Sequence, residues 1–182
     1  MAAELVEIHD WKPAWADEFR ARGAALRRAL GQRALRIDHI GSTAVTGLAA
    51  KPIVDIQVSV VDFEPIQALV SEMREASYAW REDNPERTKR YFRELPGERR
   101  CHVHVRLAGH WHEQWALLFR DYLRVHPAAS AAYAALKRSL AARYRDDRHA
   151  YTDAKGDFFW ATIRNADVWA GETDWRPGPS DA

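Results

Sequence analysis

Residues 39–57 read HIGSTAVTGLAAKPIVDIQ, two strand-like ends around a break. Residues 35–40 (LRIDHI) read as a short strand that Gly41, Ser42 and Thr43 break. Residues 53–61 (IVDIQVSVV) alternate, with Ile56, Val58 and Val60 on one face and Asp55, Gln57 and Ser59 on the other. A glycine and a hydroxyl after a strand give a backbone whose N–H groups can cradle phosphate oxygens. The plainer reading of Gly-Ser is an ordinary turn. What sets this one apart is Asp55, a carboxylate on the polar face of the next strand.

Outward from this segment, residues 11–30 place Trp11, Trp15, Phe19, Leu26 and Leu30 on one helical face, with Pro13 in the first turn and Gly31 at the end. A helix is expected over 64–76, then strands at 78–80 and 89–95 around a polar loop, 83–88. Residues 100–107 alternate again. Cys101, Val103, Val105 and Leu107 point one way and His102, His104 and Arg106 the other. The rest reads as helical: Trp111, Trp115, Leu118 and Tyr122 form one stripe. After a break at Pro127, Tyr133, Leu136, Leu140 and Tyr144 form the next, and a last helix covers 153–170. The tail TDWRPGPSDA is expected to fray. The fold class is therefore α/β (α+β), a mixed β-sheet flanked by helices with a helical C-terminal part. One domain over 1–172 and a flexible tail over 173–182 are expected.

Composition narrows the function. The chain has 182 residues, with 27 Lys plus Arg against 26 Asp plus Glu, so bulk charge gives no case for a polyanion binder such as a nucleic-acid protein. Eight Trp, six Tyr and six Phe within 47% hydrophobic residues supply a core. A single cysteine, Cys101, excludes an intramolecular disulfide framework, and its place on the apolar face reads as core. The N-terminal residues lack a basic and an apolar region, and no apolar run approaches the ~18 residues of a membrane span. A cytoplasmic protein without membrane contact is expected; oligomeric state leaves no signal.

The segment resembles the nucleotidyltransferase-fold signature, Gly-Ser followed by Asp-x-Asp/Glu, and its wording HIGSTAVTGLAAKPIVDI resembles the GrpB family. The likeness continues through HVHV (102–105), FRDYLRVHP (119–127), Tyr133, Leu136-Lys137, Tyr151-Thr152 and Lys155, so it spans residues 15–166. It implies a nucleotidyltransferase-like sheet and a metal-dependent transfer of a nucleoside monophosphate from a nucleoside triphosphate to a small-molecule acceptor. Asp55 would then be a metal ligand, Gly41, Ser42 and Thr43 would meet the phosphates, and Lys51, with Lys137 and Lys155, would neutralise them. The implied metal is magnesium or manganese ahead of zinc.

This chain departs from the pattern at Gln57, an amide where the enzymes of this fold carry a second carboxylate. At an effective dielectric of ~20, a pair of unit charges at ~4 Å interacts by about 4 kcal/mol gross. Losing one such charge weakens magnesium retention unless another ligand compensates. His102 and His104 are the candidates, because residues two apart on a strand share a face. They can complete a site with Asp55 and Gln57, or His104 can act as a base. The plain alternative is a pair of half-buried histidines bonded to a helix.

Arg90 and Arg93 are further candidates for phosphate neutralisation, and Tyr91 and Tyr151 for stacking on a base. Arg87, Lys89 and Arg90 read as a solvated basic loop, His110 and His112 as solvated side chains. No nucleophile-elbow order accompanies Ser42, so covalent catalysis is not expected. Three readings stay open: a nucleotidyltransferase, a nucleotide- or phosphate-binding module that has lost its chemistry, and a His/Asp metal-dependent hydrolase.

Overall fold

β-Branched residues at alternate positions of Val54–Val60 (β2) pack one face of this strand into the core and leave Asp55, Gln57 and Ser59 on the other. The computed structural model describes residues 5–182. Its elements, in order, are α1 (Ala14–Leu30), β1 (Arg36–Ile40), β2, α2 (Ile66–Glu75), β3 (Tyr78–Trp80), β4 (Lys89–Glu94) and β5 (Cys101–Leu107). The helices α3 (Trp111–Val125), α4 (Pro127–Arg143), α5 (Arg148–Asp153) and α6 (Gly156–Thr173) complete the chain. The strands form one mixed sheet in the order β1-β2-β5-β4-β3. β2 and β5 run parallel and every other pair antiparallel, so the α/β class expected from the sequence holds.

The parallel pair fixes the chemistry of the sheet. Its register sets Asp55 beside His102 and Gln57 beside His104. On the opposite face, α1 and α2 bury Trp15, Phe19, Leu26, Leu69 and Met73 against Ile56, Val58, Val103 and Val105. A second core under α3, α4 and α6 joins Val45 and Leu48 of the β1–β2 connection to Leu118, Phe119, Tyr133 and Ile163. The polar face of β2 is thus covered at one end by α3 and left open at the other. Among the described residues, no helix is long and apolar enough to cross a membrane.

Three expectations need correction. Trp111 was placed in a core stripe, yet it opens α3 and is 54% exposed, whereas Trp115 and Tyr122 pack inward. The last helix begins at Gly156, preceded by the separate short helix α5. The tail does not fray. Arg36 donates to the Gly178 carbonyl (2.7 Å), the Ile37 N–H donates to Ser180 Oγ (2.9 Å), and the Ala182 N–H donates to the Ile37 carbonyl (3.1 Å). Residues 178–182 lie along the outer edge of β1 and occupy backbone groups that an edge strand otherwise leaves open.

Candidate functional site

The site begins where β1 stops. Gly41 adopts φ +72° and ψ −171°, a conformation confined almost entirely to glycine. A Cβ there would stand 2.8 Å from Asp55 Oδ2, so this turn lies directly on the Asp55 carboxylate. The next residues form the 3₁₀ turn Ser42–Ala44. Several contacts brace it: Trp11 Nε1 donates to the Thr43 carbonyl (3.0 Å) and Arg124 to the Ala44 carbonyl (3.2 Å). Thr43 Oγ1 meets His39 Nε2 at 2.9 Å, and the His39 ring stacks on Phe19 at 4.8 Å. Burial lowers the pKa of His39 to about 4, so the ring stays neutral at its hydroxyl partner.

Asp55 Oδ1 lies 2.9 Å from His102 Nδ1 and 3.5 Å from His104 Nε2. The three side chains form a group able to hold a metal ion, their ligand atoms within 4.8 Å of one another. Burial pushes the Asp55 carboxyl up, but hydrogen bonds and charge interaction with His102 and His104 override it and hold it well below the usual carboxylate range. Burial lowers His104 to about 4 against the pull of Asp55. A carboxylate facing a neutral imidazole is the protonation state a metal site needs. Tyr91 of β4 packs on both imidazoles, its ring centroid 5.7 Å from His102 and 5.3 Å from His104. Two imidazoles and one carboxylate fit manganese, iron or zinc better than magnesium. Among the described residues, His102 Nε2 and His104 Nδ1 are buried without a hydrogen-bond partner.

Above this triad opens a cleft of about 400 Å³. Gly41, Ser42, Thr43, Lys51, Asp55, His102, His104, Lys137 and Lys155 all line it, as do Lys89 and Arg148. Lys51 and Lys155 both stand over the Tyr151 ring, 5.3 and 4.5 Å from its centroid. Lys137 Nζ donates to Ser42 Oγ (2.8 Å) and to the Ala49 carbonyl. Lys89 is paired with Glu86 at 2.7 Å. Burial, then the nearby lysines, lowers Lys137 to about 7, and burial followed by Lys51 lowers Lys155 to about 8. Crowded ammonium groups that repel one another are stabilised by a nearby anion.

Some candidates lie elsewhere. Gln57 is fully buried, and its Nε2 donates to the Glu113 carbonyl of α3 (3.1 Å), outside the cleft. Arg90 points to the other face of β4 and stacks on Phe63 at 4.1 Å. Arg93 is paired with Glu94 at 2.7 Å. Tyr151 is 1% exposed and presents no face to a base; it supports the lysines instead. The sequence reading passed over Arg148 and Asn84. Arg148 opens a helix too short for a periodic signal, and Asn84 belongs to a polar loop. By sequence Lys89 belongs to a solvated basic cluster, and Tyr133 to a helical stripe and to the family likeness. Tyr133 and Lys137 stand one turn apart on α4, a spacing that places both on one face.

Comparison with known proteins completes the picture. Residues 5–165 match the family described as GrpB protein. Relatives include the UPF0157 protein YqkA of Bacillus subtilis, 34% identical over 164 residues, which cover 90% of this chain and 48% of that protein. The UPF0157 protein SCO7215 of Streptomyces coelicolor is 39% identical over 158 residues, 86% of this chain and 81% of that protein. A dephospho-CoA kinase of Mycolicibacterium paratuberculosis is 34% identical over 190 residues, 91% of this chain and 47% of that protein. The chain spans about half the length of several curated relatives that it matches. Among solved structures, the conserved protein GrpB from Enterococcus faecalis superposes with TM-score 0.81 at 33% identity, covering 90% of this chain and 99% of that one. A cytoplasmic RNA terminal U-transferase superposes with TM-score 0.50 at 15% identity over 70% of this chain and 39% of its own, a likeness of fold alone.

Proposed function

The chain belongs to the GrpB family, and on that premise we propose that its cleft binds a nucleoside triphosphate and one divalent metal and transfers the nucleoside monophosphate to a small-molecule acceptor. The observation that carries this reading is the Asp55 carboxylate bracketed by His102 and His104 beneath a wall of lysines. Asp55, His102 and His104 would hold the metal, which supplies Lewis-acid polarisation of a phosphoryl oxygen when bound. Their chemistry favours manganese or zinc over magnesium. Gly41, Ser42 and Thr43 bring a tight backbone turn against the phosphates, and Lys51, Lys137 and Lys155 offset their charge. The dephospho-CoA kinase name does not carry over: the chain covers less than half of that relative, and its sequence has no Gly-x₄-Gly-Lys-Ser/Thr phosphate loop.

One observation favours a second reading. Gln57 is turned under α3, so no second acidic side chain on β2 joins Asp55 in the cleft. A cleft that binds nucleotide without turning it over is the consequence if nothing replaces that carboxylate. Calorimetry of metal-stripped protein against ATP, GTP, CTP and UTP, with Mg²⁺, Mn²⁺ or Zn²⁺, tests the first reading. Metal-dependent binding that disappears in Asp55→Ala is the expected result. Nucleotide binding that persists unchanged in that variant would remove Asp55 from the site. Binding without release of pyrophosphate in an acceptor screen would favour the second reading.

A further inference from the structure

Two groups placed above beside the phosphates, Ser42 and Lys137, have a geometry that phosphate binding alone does not use. Lys137 is 3% exposed, and its Nζ meets Ser42 Oγ at 2.8 Å and the Ala49 carbonyl. Tyr133, one turn earlier on α4, lies under the same amine at 4.4 Å. The charges that lower Lys137 are Lys155 from the start of α6, Arg138 beside it on α4 and Lys51 from the segment before β2, while the Asp55 carboxylate lines the same cleft. Burial and these neighbours lower the ammonium to about 7, so near neutral pH a large fraction is free amine. A neutral amine that keeps one N–H on the Ala49 carbonyl has its lone pair available to accept the Ser42 hydroxyl proton. Burial meanwhile raises the Tyr133 hydroxyl pKa, so this phenol stays protonated beside the amine.

A serine at hydrogen-bond distance from a desolvated lysine is the geometry of a nucleophile and its base. The pair sits where an electrophilic phosphorus would be held. Ser42 follows Gly41, whose backbone abuts Asp55, and the cleft wall is lined with lysines. It also supplies what Gln57 does not, a proton acceptor that needs no second metal-binding carboxylate.

We propose that Ser42 is a nucleophile with Lys137 as its general base, and that the cleft forms a covalent phosphoryl-type adduct on Ser42 from an activated phosphate anhydride. Ser42 Oγ bonds to phosphorus, and its proton passes to Lys137 Nζ. The bond from phosphorus to the leaving pyrophosphate or phosphate oxygen breaks with its electron pair. In the return step an acceptor hydroxyl, or water, attacks the same phosphorus and releases its proton to solvent, while Lys137 returns its proton to the departing Ser42 Oγ. The anhydride class rests on the phosphate-binding reading above; the nucleophile rests on the Ser42–Lys137 geometry alone.

The test uses a fluorophosphonate probe on metal-stripped protein, with the modified residue located by peptide mass spectrometry, because loss of fluoride from phosphorus requires a nucleophile and no metal. Labelling confined to Ser42 is expected. It should be absent in Ser42→Ala and at least roughly 100-fold slower in Lys137→Met and Lys137→Arg. The arginine variant keeps the charge and loses the base. Native circular dichroism of each variant confirms that it is folded. Wild-type protein that resists the probe, or Lys137 variants that label at the wild-type rate, would overturn the proposal. Incubation with nucleoside triphosphate and Mn²⁺ then separates the two readings. A nucleoside monophosphate on Ser42 supports both, whereas probe labelling without any nucleotide adduct upholds the nucleophile and removes Ser42 from nucleotidyl transfer, a reading that the Asp55→Ala calorimetry tests separately.

Discussion

Asp55 Oδ1 and His102 Nδ1 lie 2.9 Å apart because β2 and β5 run parallel in the register that puts these two residues side by side. The same register sets Gln57 beside His104, yet only the histidine turns into the cleft. Sheet geometry alone therefore assembles two imidazoles and a carboxylate from distant parts of the chain.

On the proposed metal reading, removing one of the three side chains should be felt by the metal and not by the fold. We expect Asp55→Ala and His104→Ala each to lower Mn²⁺ or Zn²⁺ affinity by at least roughly 100-fold, since first ligands matter more than the outer partners whose loss costs about 10–100-fold. Gln57→Leu should leave metal affinity within about two-fold, because its amide bonds to Glu113 outside the cleft. Calorimetric titration of metal-stripped variants checks both, and a large loss in Gln57→Leu would contradict the placement of that side chain.

Gly41 carries two requirements that substitution separates. Gly41→Ala forces a side chain into a glycine-only backbone region, at a cost of about 1–3 kcal/mol, and drives a Cβ onto Asp55 Oδ2. Gly47 also has positive φ, +81°, but nothing within 4 Å of a Cβ. Both alanine variants should lose thermal stability, and only Gly41→Ala should lose metal affinity as well. Equal metal affinity in the two would argue that the turn does not set the Asp55 position.

Acid should unfold the protein partly through His39. Its folded pKa of about 4 lies below the ordinary value of 6.5, so between these two values the unfolded chain binds more protons than the folded one. Stability is then fully present above pH 6.5 and falls as pH drops toward 4, by at most about 3 kcal/mol from this group. In urea unfolding, His39→Gln should show a shallower decline over that window, and an unchanged slope would mean that His39 charges without penalty.

Lys137 should cost the empty protein stability. Its folded pKa of about 7 is below the 10.5 of a free lysine, so the unfolded chain binds the extra proton between these values and wild-type stability rises with pH across that window. Lys137→Met removes the buried ammonium at the loss of two hydrogen bonds, and we expect it to be more stable by about 1–2 kcal/mol at pH 7. The advantage should shrink at pH 9. A functional residue held at the expense of stability gives this pattern; a variant less stable at pH 7 would assign Lys137 a structural role.

Local pattern made much of this legible. The alternation of residues 53–61 and 100–107 and the break at Gly41-Ser42 showed both strands, the turn and the polar faces that carry Asp55, His102 and His104. Which side chains on one face turn into the same cleft is a tertiary matter. Gln57 shares the alternation of Asp55 but is claimed by Glu113 from a helix some fifty residues away. Arg148 and Asn84 sit in segments without periodicity, and the Ser42–Lys137 contact joins residues 95 apart. The tail misled for a related reason: Pro, Gly and Ser look like a frayed end until the edge of β1 is there to receive them.

The tail offers the last prediction, through Asp181. Arg120 is 3% exposed, and it donates to Asp181 Oδ2 (2.9 Å), to Asp121 (2.8 Å) and to the His39 carbonyl (3.1 Å). The same Asp181 oxygen accepts the His39 backbone N–H at 2.9 Å, so one carboxylate ties a buried guanidinium to the end of strand β1 just before Gly41. Asp181→Ala leaves Asp38 and Asp121 to balance the arginine but leaves the His39 N–H without this acceptor. Loss of a charge-assisted hydrogen bond from a partly exposed partner costs about 1–2 kcal/mol. Faster hydrogen exchange at the His39 amide, with a melting temperature lower by roughly 2–8 °C, is the expected outcome. Unchanged protection at His39 would mean that the tail contact does not hold β1 in place.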